Sequence, residues 1–318
     1  MSPTSILTLD AIGSTNAEAM RLGLSGTSVP FWLRADRQTA GRGRSGRPWV
    51  SEPGNLYASH LLRLACEPTV LHHLSFVAAV ATVAAIRRVA ADRNTLGLAT
   101  NATAAPSPLV GERWGGGASG TTTANQKPPT PSPSPQGGGE SHRVLDQNLA
   151  YKPAPPVERP TPRLKWPNDI LIDGAKLAGI LPESTLLPGG GALAVIGIGI
   201  NLAWAPVGLD RPVACLAAHG IDITPQAMLE ALATEMSAAL ALWDNSNGFP
   251  AIRAKWLTDA GPLGVPLSVH AGRDIFSGTF QGLEHDGALI LRDHSGYDQR
   301  MTFGDVTMDA AAGGEGTA

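Results

Sequence analysis

Cysteine is scarce in this 318-residue chain: Cys66 and Cys215 stand far apart, without a Cys-x-x-Cys partner. That leaves no disulfide framework and no structural zinc site, and it points to a reducing, cytoplasmic setting. The eight histidines carry no metal-ligand spacing, since the one adjacent pair, His72-His73, points to different sides of a helix. Basic charge is not in excess. A formal net charge of −3 argues against a protein built to coat nucleic acid. Met1–Asp10 lacks a basic region followed by an apolar run, so no signal peptide is expected. The stretch Thr69–Ile86 is free of charge over 18 residues, close to the length of a spanning helix. It contains His72, His73, Ser75 and Thr82, however, and much of the rest is alanine. The expectation is a buried helix ended by Arg87-Arg88, with no membrane association.

What the chain does have is a stretch dense in glycine and arginine, Arg37-Gln38-Thr39-Ala40-Gly41-Arg42-Gly43-Arg44-Ser45-Gly46-Arg47-Pro48-Trp49. Glycines let a backbone approach a ligand closely, and arginines bring a planar, permanently charged fork to carboxylate or phosphate. A basic turn on a solvated face would have the same composition. The stretch is not a Walker loop, for no Gly-Lys-Ser/Thr follows at the needed spacing. Nor is it a dinucleotide fingerprint, because its glycines lie too close together.

In chain order, Ile6–Leu9 reads as a strand. Thr15 with Glu18 has the form of a capping box, which predicts a helix over Ala17–Leu22 stopped by Gly23. Phe31–Ala35, Trp49-Val50 and Leu56–Leu64 read as strands, with a turn at Ser51–Asn55. A long helix is expected from about Pro68 to Ala91. Between Ala105 and Arg163 lie 12 of the 26 prolines, with two triple-glycine runs. Such a composition buries too little apolar surface to offset its ordering entropy, so residues 98–162 are expected to be a disordered insertion.

Lys165-Trp166-Pro167-Asn168-Asp169 then suggests a hairpin bent at proline, followed by a turn at Asp173-Gly174 and a strand at Lys176–Leu181. Ala194–Asn201 reads as a core strand with Gly197 and Gly199 on one face. Thr224-Pro225 opens a helix to about Trp243, and Phe249–Asp259 forms a second. Four short strands follow: Pro266–His270, Ile275–Leu283, Ala288–Arg292 and Tyr297–Phe303. The expected fold is α+β, a mixed sheet flanked by helices over 1–260. A small SH3-like β-barrel over 261–309 and a flexible tail over 310–318 complete it.

Four of these features together resemble the biotin–protein ligases: Ser14-Thr15-Asn16, the run Gln38 to Trp49, Lys165 to Asp169, and Lys176-Leu177-Ala178-Gly179-Ile180. The resemblance implies a class II synthetase-like biotin/lipoate ligase domain. It also implies a two-step reaction, in which ATP, as its Mg²⁺ complex, activates biotin to biotinyl-5′-AMP. The biotin is then transferred to a lysine of a biotin carboxyl carrier protein. No enzyme nucleophile is needed, in keeping with the lack of a Ser/His/Asp or Cys/His constellation.

By the same resemblance, biotin is contacted by Ser14, Thr15, Asn16, Gln38, Arg42, Gly43, Arg44, Lys176 and Gly179. The nucleotide is contacted by Arg44, Arg47, Trp49, Lys165, Asn168, Asp169 and Asn201. Arg44 and Lys176 serve at the reacting junction, and Asp169 near the Mg²⁺. The long insertion departs from the family's pattern. Ser14 lies too near the start for the N-terminal helix-turn-helix of some members, so a form without DNA binding is expected. A lipoate or octanoate ligase and a non-catalytic biotin sensor are the alternatives, and a homodimer is left open.

Overall fold

The structure is a computed structural model that describes residues 5–97 and 161–308. The proline- and glycine-rich insertion, save its last two residues, and the tail lie outside the described residues. The first strand, β1 (Ser5–Ile12), leads into helix α1 (Thr15–Leu24), which crosses back to the parallel strand β2 (Phe31–Gln38). The other strands pair antiparallel: β3 (Leu56–Leu64), β4 (Arg163–Lys165), β5 (Asp169–Ile172), β6 (Ala175–Leu186) and β7 (Ala192–Ile200). The resulting seven-stranded mixed sheet runs β1-β2-β3-β7-β6-β5-β4.

The two faces of this sheet carry different loads. One is covered by α2 (His73–Gly97), α3 (Pro225–Trp243) and α4 (Phe249–Asp259), whose side chains join Ala194, Ile196, Ile198 and Ile200 of β7 in the main core. On the other face α1 covers Leu33, Leu61, Leu193 and Val195. With a period of two, the row that begins with Leu193 and Val195 continues as Gly197 and Gly199, and there the helix cover ends.

The apolar run of α2 meets the length and composition of a membrane span, but 78% of that window is packed inside the protein. The run is therefore a core helix of this fold. It continues past Arg87-Arg88 to Gly97, farther than its charges suggest.

A second sheet of five strands, β8 (Pro266–Ala271), β9 (Asp274–Leu283), β10 (Leu289–Arg292), β11 (Asp298–Met301) and β12 (Asp305–Met308), has the order β11-β10-β9-β8-β12. Its β9–β10 turn is its anchor. The indole of Trp166 donates to the Gly287 carbonyl at 3.1 Å, and Arg253 donates to the carbonyls of Leu283 and Glu284. Gly287 has φ of 91°, and a Cβ there would lie 2.9 Å from the Phe76 ring. Only glycine satisfies both the backbone and the contact.

Several expectations need correction. Trp49-Val50 is loop, not strand; the chain there closes a bridge between Arg42 and Pro48. The capping box does not form, because Ser14 is the N-cap, Thr15 binds Gln38 and Glu18 pairs with Arg21. Gly23 does not stop α1. A Cβ there would lie 2.5 Å from Leu61 and 2.7 Å from Leu193, so it lets the helix sit close on the sheet. The fifth small strand, β12, has no equivalent among the four expected.

Thr224 does cap α3, its hydroxyl accepting from the Ala227 amide at 3.2 Å. Thr224→Ala is expected to cost about 1 kcal/mol, read as a lower urea midpoint at unchanged slope.

Candidate active site

The register of the central strands builds the floor of a cavity of about 410 Å³. Tyr57 of β3 pairs with Gly199 of β7, Gly199 with Gly179 of β6, and Gly179 with Asp169 of β5. The next row runs Ser59–Gly197–Leu181, and the one after it Leu61–Val195–Glu183. Paired residues share a face, so the missing glycine side chains leave a trough between Tyr57 and Asp169.

The trough is filled in part by neighbours. A Cβ on Gly199 would lie 2.8 Å from the Trp49 indole, and one on Gly179 would lie 3.0 Å from it. A Cβ on Gly197 would lie 2.4 Å from Asn16 Oδ1. The glycines are therefore space for the indole and the amide. Trp49 Nε1 is buried and finds no partner among the described residues.

A polar corner closes one end, at the start of α1. Ser14 occupies the N-cap without making a side-chain cap bond, and it lines the cavity. Gln38 Oε1 accepts from the Thr15 amide at 2.9 Å and faces the Thr15 hydroxyl at 3.1 Å, while Gln38 Nε2 donates to Ser51 at 3.0 Å. Ser59 Oγ lies 2.7 Å from Asn16 Oδ1 and 2.8 Å from Thr15 Oγ1. Its single proton goes to Asn16, which at that oxygen can only accept. Asn16 Nδ2 donates to the Leu181 carbonyl at 3.0 Å and to Glu183 at 2.6 Å.

The other end is cationic. Lys176 Nζ lies 2.5 Å from Asp169 Oδ1, and Lys165 Nζ lies 3.4 Å from Asp169 Oδ2. One buried carboxylate thus faces two ammonium groups. Burial would push the Asp169 carboxyl up, but the two lysines together hold it below its ordinary value. Burial also lowers Lys176, with Asp169 acting in the opposite sense. Lys165 donates to the Val306 carbonyl of β12 at 3.0 Å, and Lys176 lies 5.3 Å from the centre of the Trp49 ring.

The glycine–arginine loop forms the remaining wall. Arg42 pairs with Glu183 at 3.0 Å. Arg44 donates to the Gly304 carbonyl at 3.1 Å and reaches Asn168 at 3.4 Å, and Asn168 Nδ2 donates to the Ile180 carbonyl at 2.7 Å. Arg47 pairs with Asp305 at 2.7 Å, with Arg44 a further 3.6 Å contact on the same carboxylate. Ser45, at φ of 55°, and Gly46, at φ of 71°, turn the loop back on itself.

Nearly every residue expected from the sequence lies on this cavity: Ser14, Thr15, Asn16, Gln38, Arg42, Gly43, Arg44, Arg47, Trp49, Lys165, Asn168, Asp169, Lys176 and Gly179. Asn201 does not. It is buried, and its amide is engaged by the Ala214 carbonyl at 2.9 Å. Sequence reasoning missed Tyr57, Arg211 and Asp305, which line the cavity, and Ser59 and Glu183, which hydrogen-bond to Asn16 from outside its lining. For Glu183 a signal existed, since it stands four residues beyond Gly179 and thus on the same strand face. Asp305 has no such signal, because only the docking of the small sheet brings it to the loop.

Six cations line the cavity (Arg42, Arg44, Arg47, Lys165, Lys176 and Arg211) against three carboxylates, Asp169, Asp210 and Asp305. The chain as a whole is acidic, so its positive charge is concentrated here. The donor set does not make a resident metal site. No group of three or more His, Cys, Asp or Glu suited to a metal occurs among the described residues, and Asp169 is engaged by two lysines.

Because Asp169 is held below its ordinary value, its pairing contributes stability above the unfolded carboxyl value of 3.8, and that stability is lost as pH falls through the folded value. Urea midpoints of the wild type and of Asp169→Asn are expected to differ at pH 7 and to converge at the acid end. A constant difference from pH 7 to 3 would contradict the assignment.

Comparison with known proteins places the chain. It matches the biotin/lipoate A/B protein ligase family over residues 11–112 and 143–201. The biotin--[acetyl-CoA-carboxylase] ligase of Paracoccus denitrificans is 33% identical over 294 residues, covering 89% of this chain and 92% of its own length. The enzyme of the same name from Mycobacterium tuberculosis is 26% identical, over 92% of this chain and 85% of its own. The biotin protein ligase of Aquifex aeolicus, solved with biotin and ATP, shares the fold with a TM-score of 0.64 and 21% identity, covering 96% of this chain and 99% of that one. By the family match and the likeness to the Paracoccus enzyme along nearly all of both chains, this protein belongs to the biotin/lipoate A/B protein ligase family.

Proposed function

We propose that this protein is an ATP-dependent biotin–protein ligase. The observation that carries the reading is one cavity with a neutral polar corner at one end and clustered cations at the other. Its volume lies in the range that takes small-molecule ligands. The corner, with Ser14, Thr15, Asn16 and Gln38, suits the ureido ring of biotin, which both donates and accepts hydrogen bonds. The cations suit two anions that must be brought together, a carboxylate and a triphosphate. The family match and the named relatives support the same activity.

In the first step a biotin carboxylate oxygen attacks the α-phosphorus of ATP, and the bond to the leaving pyrophosphate breaks. In the second, the amine of a carrier lysine attacks the acyl carbon; AMP leaves and the amine loses a proton. Lys176 and Arg44 neutralise charge at the junction of carboxylate and phosphate. Arg47, Lys165 and Asn168 hold the remaining phosphate oxygens, with Asp169 keeping both lysines oriented. Magnesium enters as part of the ATP complex. Gly43 and its neighbours let the loop fold over the intermediate and keep water out. Residues 1–260 form the catalytic domain in this reading and 261–309 the small barrel. A biotin-accepting domain of a carboxylase is the partner, in a cytoplasm, which suits the two unpaired cysteines Cys66 and Cys215.

A lipoate ligase is disfavoured by the polar corner. A dithiolane ring offers those buried groups no hydrogen bonds, and leaving them unpaired is costly. The purified protein is expected to exchange pyrophosphate into ATP with biotin, and at least about 100-fold more slowly with lipoate. Exchange with lipoate alone would overturn the reading.

Two variants test the assigned charges. Arg44→Ala is expected to slow adenylate formation by about 10²-fold or more with little change in melting temperature. For Lys176, burial lowers the ammonium, so the alkaline limb of the rate profile is expected below the usual lysine value of about 10.4. Lys176→Arg, which stays charged, moves that limb upward; an unmoved limb would remove Lys176 from this role.

A further inference from the structure

We propose that Glu183 is a positioning residue that joins the polar corner to the glycine–arginine loop, an inference that rests on the biotin reading of this site. Its two carboxylate oxygens serve two different parts of the protein. Oε2 accepts from Asn16 Nδ2 at 2.6 Å, and Oε1 accepts from Arg42 Nη2 at 3.0 Å. Glu183 is not itself on the cavity wall, so it acts through those two residues.

The first contact decides which way the Asn16 amide faces. Its nitrogen has two protons, taken by the Leu181 carbonyl and the Glu183 carboxylate, and its oxygen takes the Ser59 proton. The reverse orientation would set an amide oxygen against two acceptors. Asn16 is thereby fixed with both donors engaged, and its oxygen keeps one lone pair beside Gly197, where a side chain would strike it. It meets the cavity as an acceptor, suited to a ligand N–H. Without Glu183 the Leu181 carbonyl alone holds the nitrogen outward, so the amide turns more readily and then presents a donor that rejects that N–H.

The second contact restrains the loop. Arg42 has Glu183 as its acidic partner, and the pair spans from the loop to β6. The same carboxylate therefore bears on ligand specificity at one oxygen and on loop position at the other. The register explains its place. Glu183 pairs with Val195, on the face that carries Gly197 and Gly199, so the side chain rises beside α1.

The test uses the full chain, biotin titrated by calorimetry without nucleotide, and trypsin cleavage within Arg42–Arg47 with biotin and ATP present. Glu183→Gln keeps an acceptor for Asn16 but presents an amide nitrogen to Arg42. It is expected to bind biotin within about threefold of wild type, yet to lose ligand protection of the loop, as Arg42→Ala does. Glu183→Ala loses both contacts and is expected to weaken biotin binding about tenfold or more, the loss of a charge-assisted hydrogen bond. In an Asn16→Ala background the same change is expected to have almost no further effect on biotin affinity, whereas a merely structural role would give additive losses. If Glu183→Ala does not fold, the Gln variant and its comparison with Arg42→Ala decide alone. Wild-type affinity and loop protection in the Glu183 variants would overturn this inference and leave the functional reading standing. Absence of biotin binding by the wild type would instead overturn the functional reading.

Discussion

A slip of one residue in the pairing of β6 with β7 would turn Gly179 and Glu183 toward α2 and turn the side chains of Ala178, Ile180 and Pro182 onto the cavity face. The site depends on that register more than on any single side chain. In register, Gly179 and Gly199 lie side by side, flanked by Tyr57 on one strand and Asp169 on another, and the trough exists because two adjacent rows lack bulk. The opposite face secures the register. Ala178, Ile180, Ile196, Ile198 and Ile200 are buried in the main core, and a slip would expose them. The apolar packing of one face thus fixes the chemistry of the other.

The charges follow the same frame. Asp169 is buried between Lys165 and Lys176 because β4 and β5 form a short hairpin and Lys176 returns on β6. A lone carboxylate there would be costly to bury, and two lysines without it would repel. Together the three groups leave one positive charge in excess among largely buried side chains, where it acts more strongly on a bound anion than in bulk solvent.

The small sheet supplies the outer wall. Held by Trp166, Arg253 and the close fit of Gly287 against Phe76, it brings the carbonyls of Gly304 and Val306 and the carboxylate of Asp305 to the loop arginines and Lys165. Arg44 and Arg47 are therefore partnered before any anion arrives. A phosphate that enters must compete with Asp305 for them, which places part of the binding equilibrium in a strand remote in sequence from the loop.

Much of this was legible in the residues. The glycine–arginine loop shows its charge and backbone freedom in its own composition, Lys165–Asp169 and Lys176–Gly179 take their expected roles from the family resemblance, and α3 follows from its cap and apolar stripe. Where reading failed, a local signal was overridden by a distant contact. Gly23 looked like a helix stop and is a point of close approach to Leu61 and Leu193. Thr15 looked like a cap and is bound to Gln38. The sequence by itself determined where charge and backbone freedom are available, because glycine, arginine and lysine carry them wherever they lie. Only the tertiary structure decided that Asp305 meets the loop arginines and that Ser59 meets Asn16, because a hydrogen bond or ion pair is a matter of distance, and chain separation does not encode it.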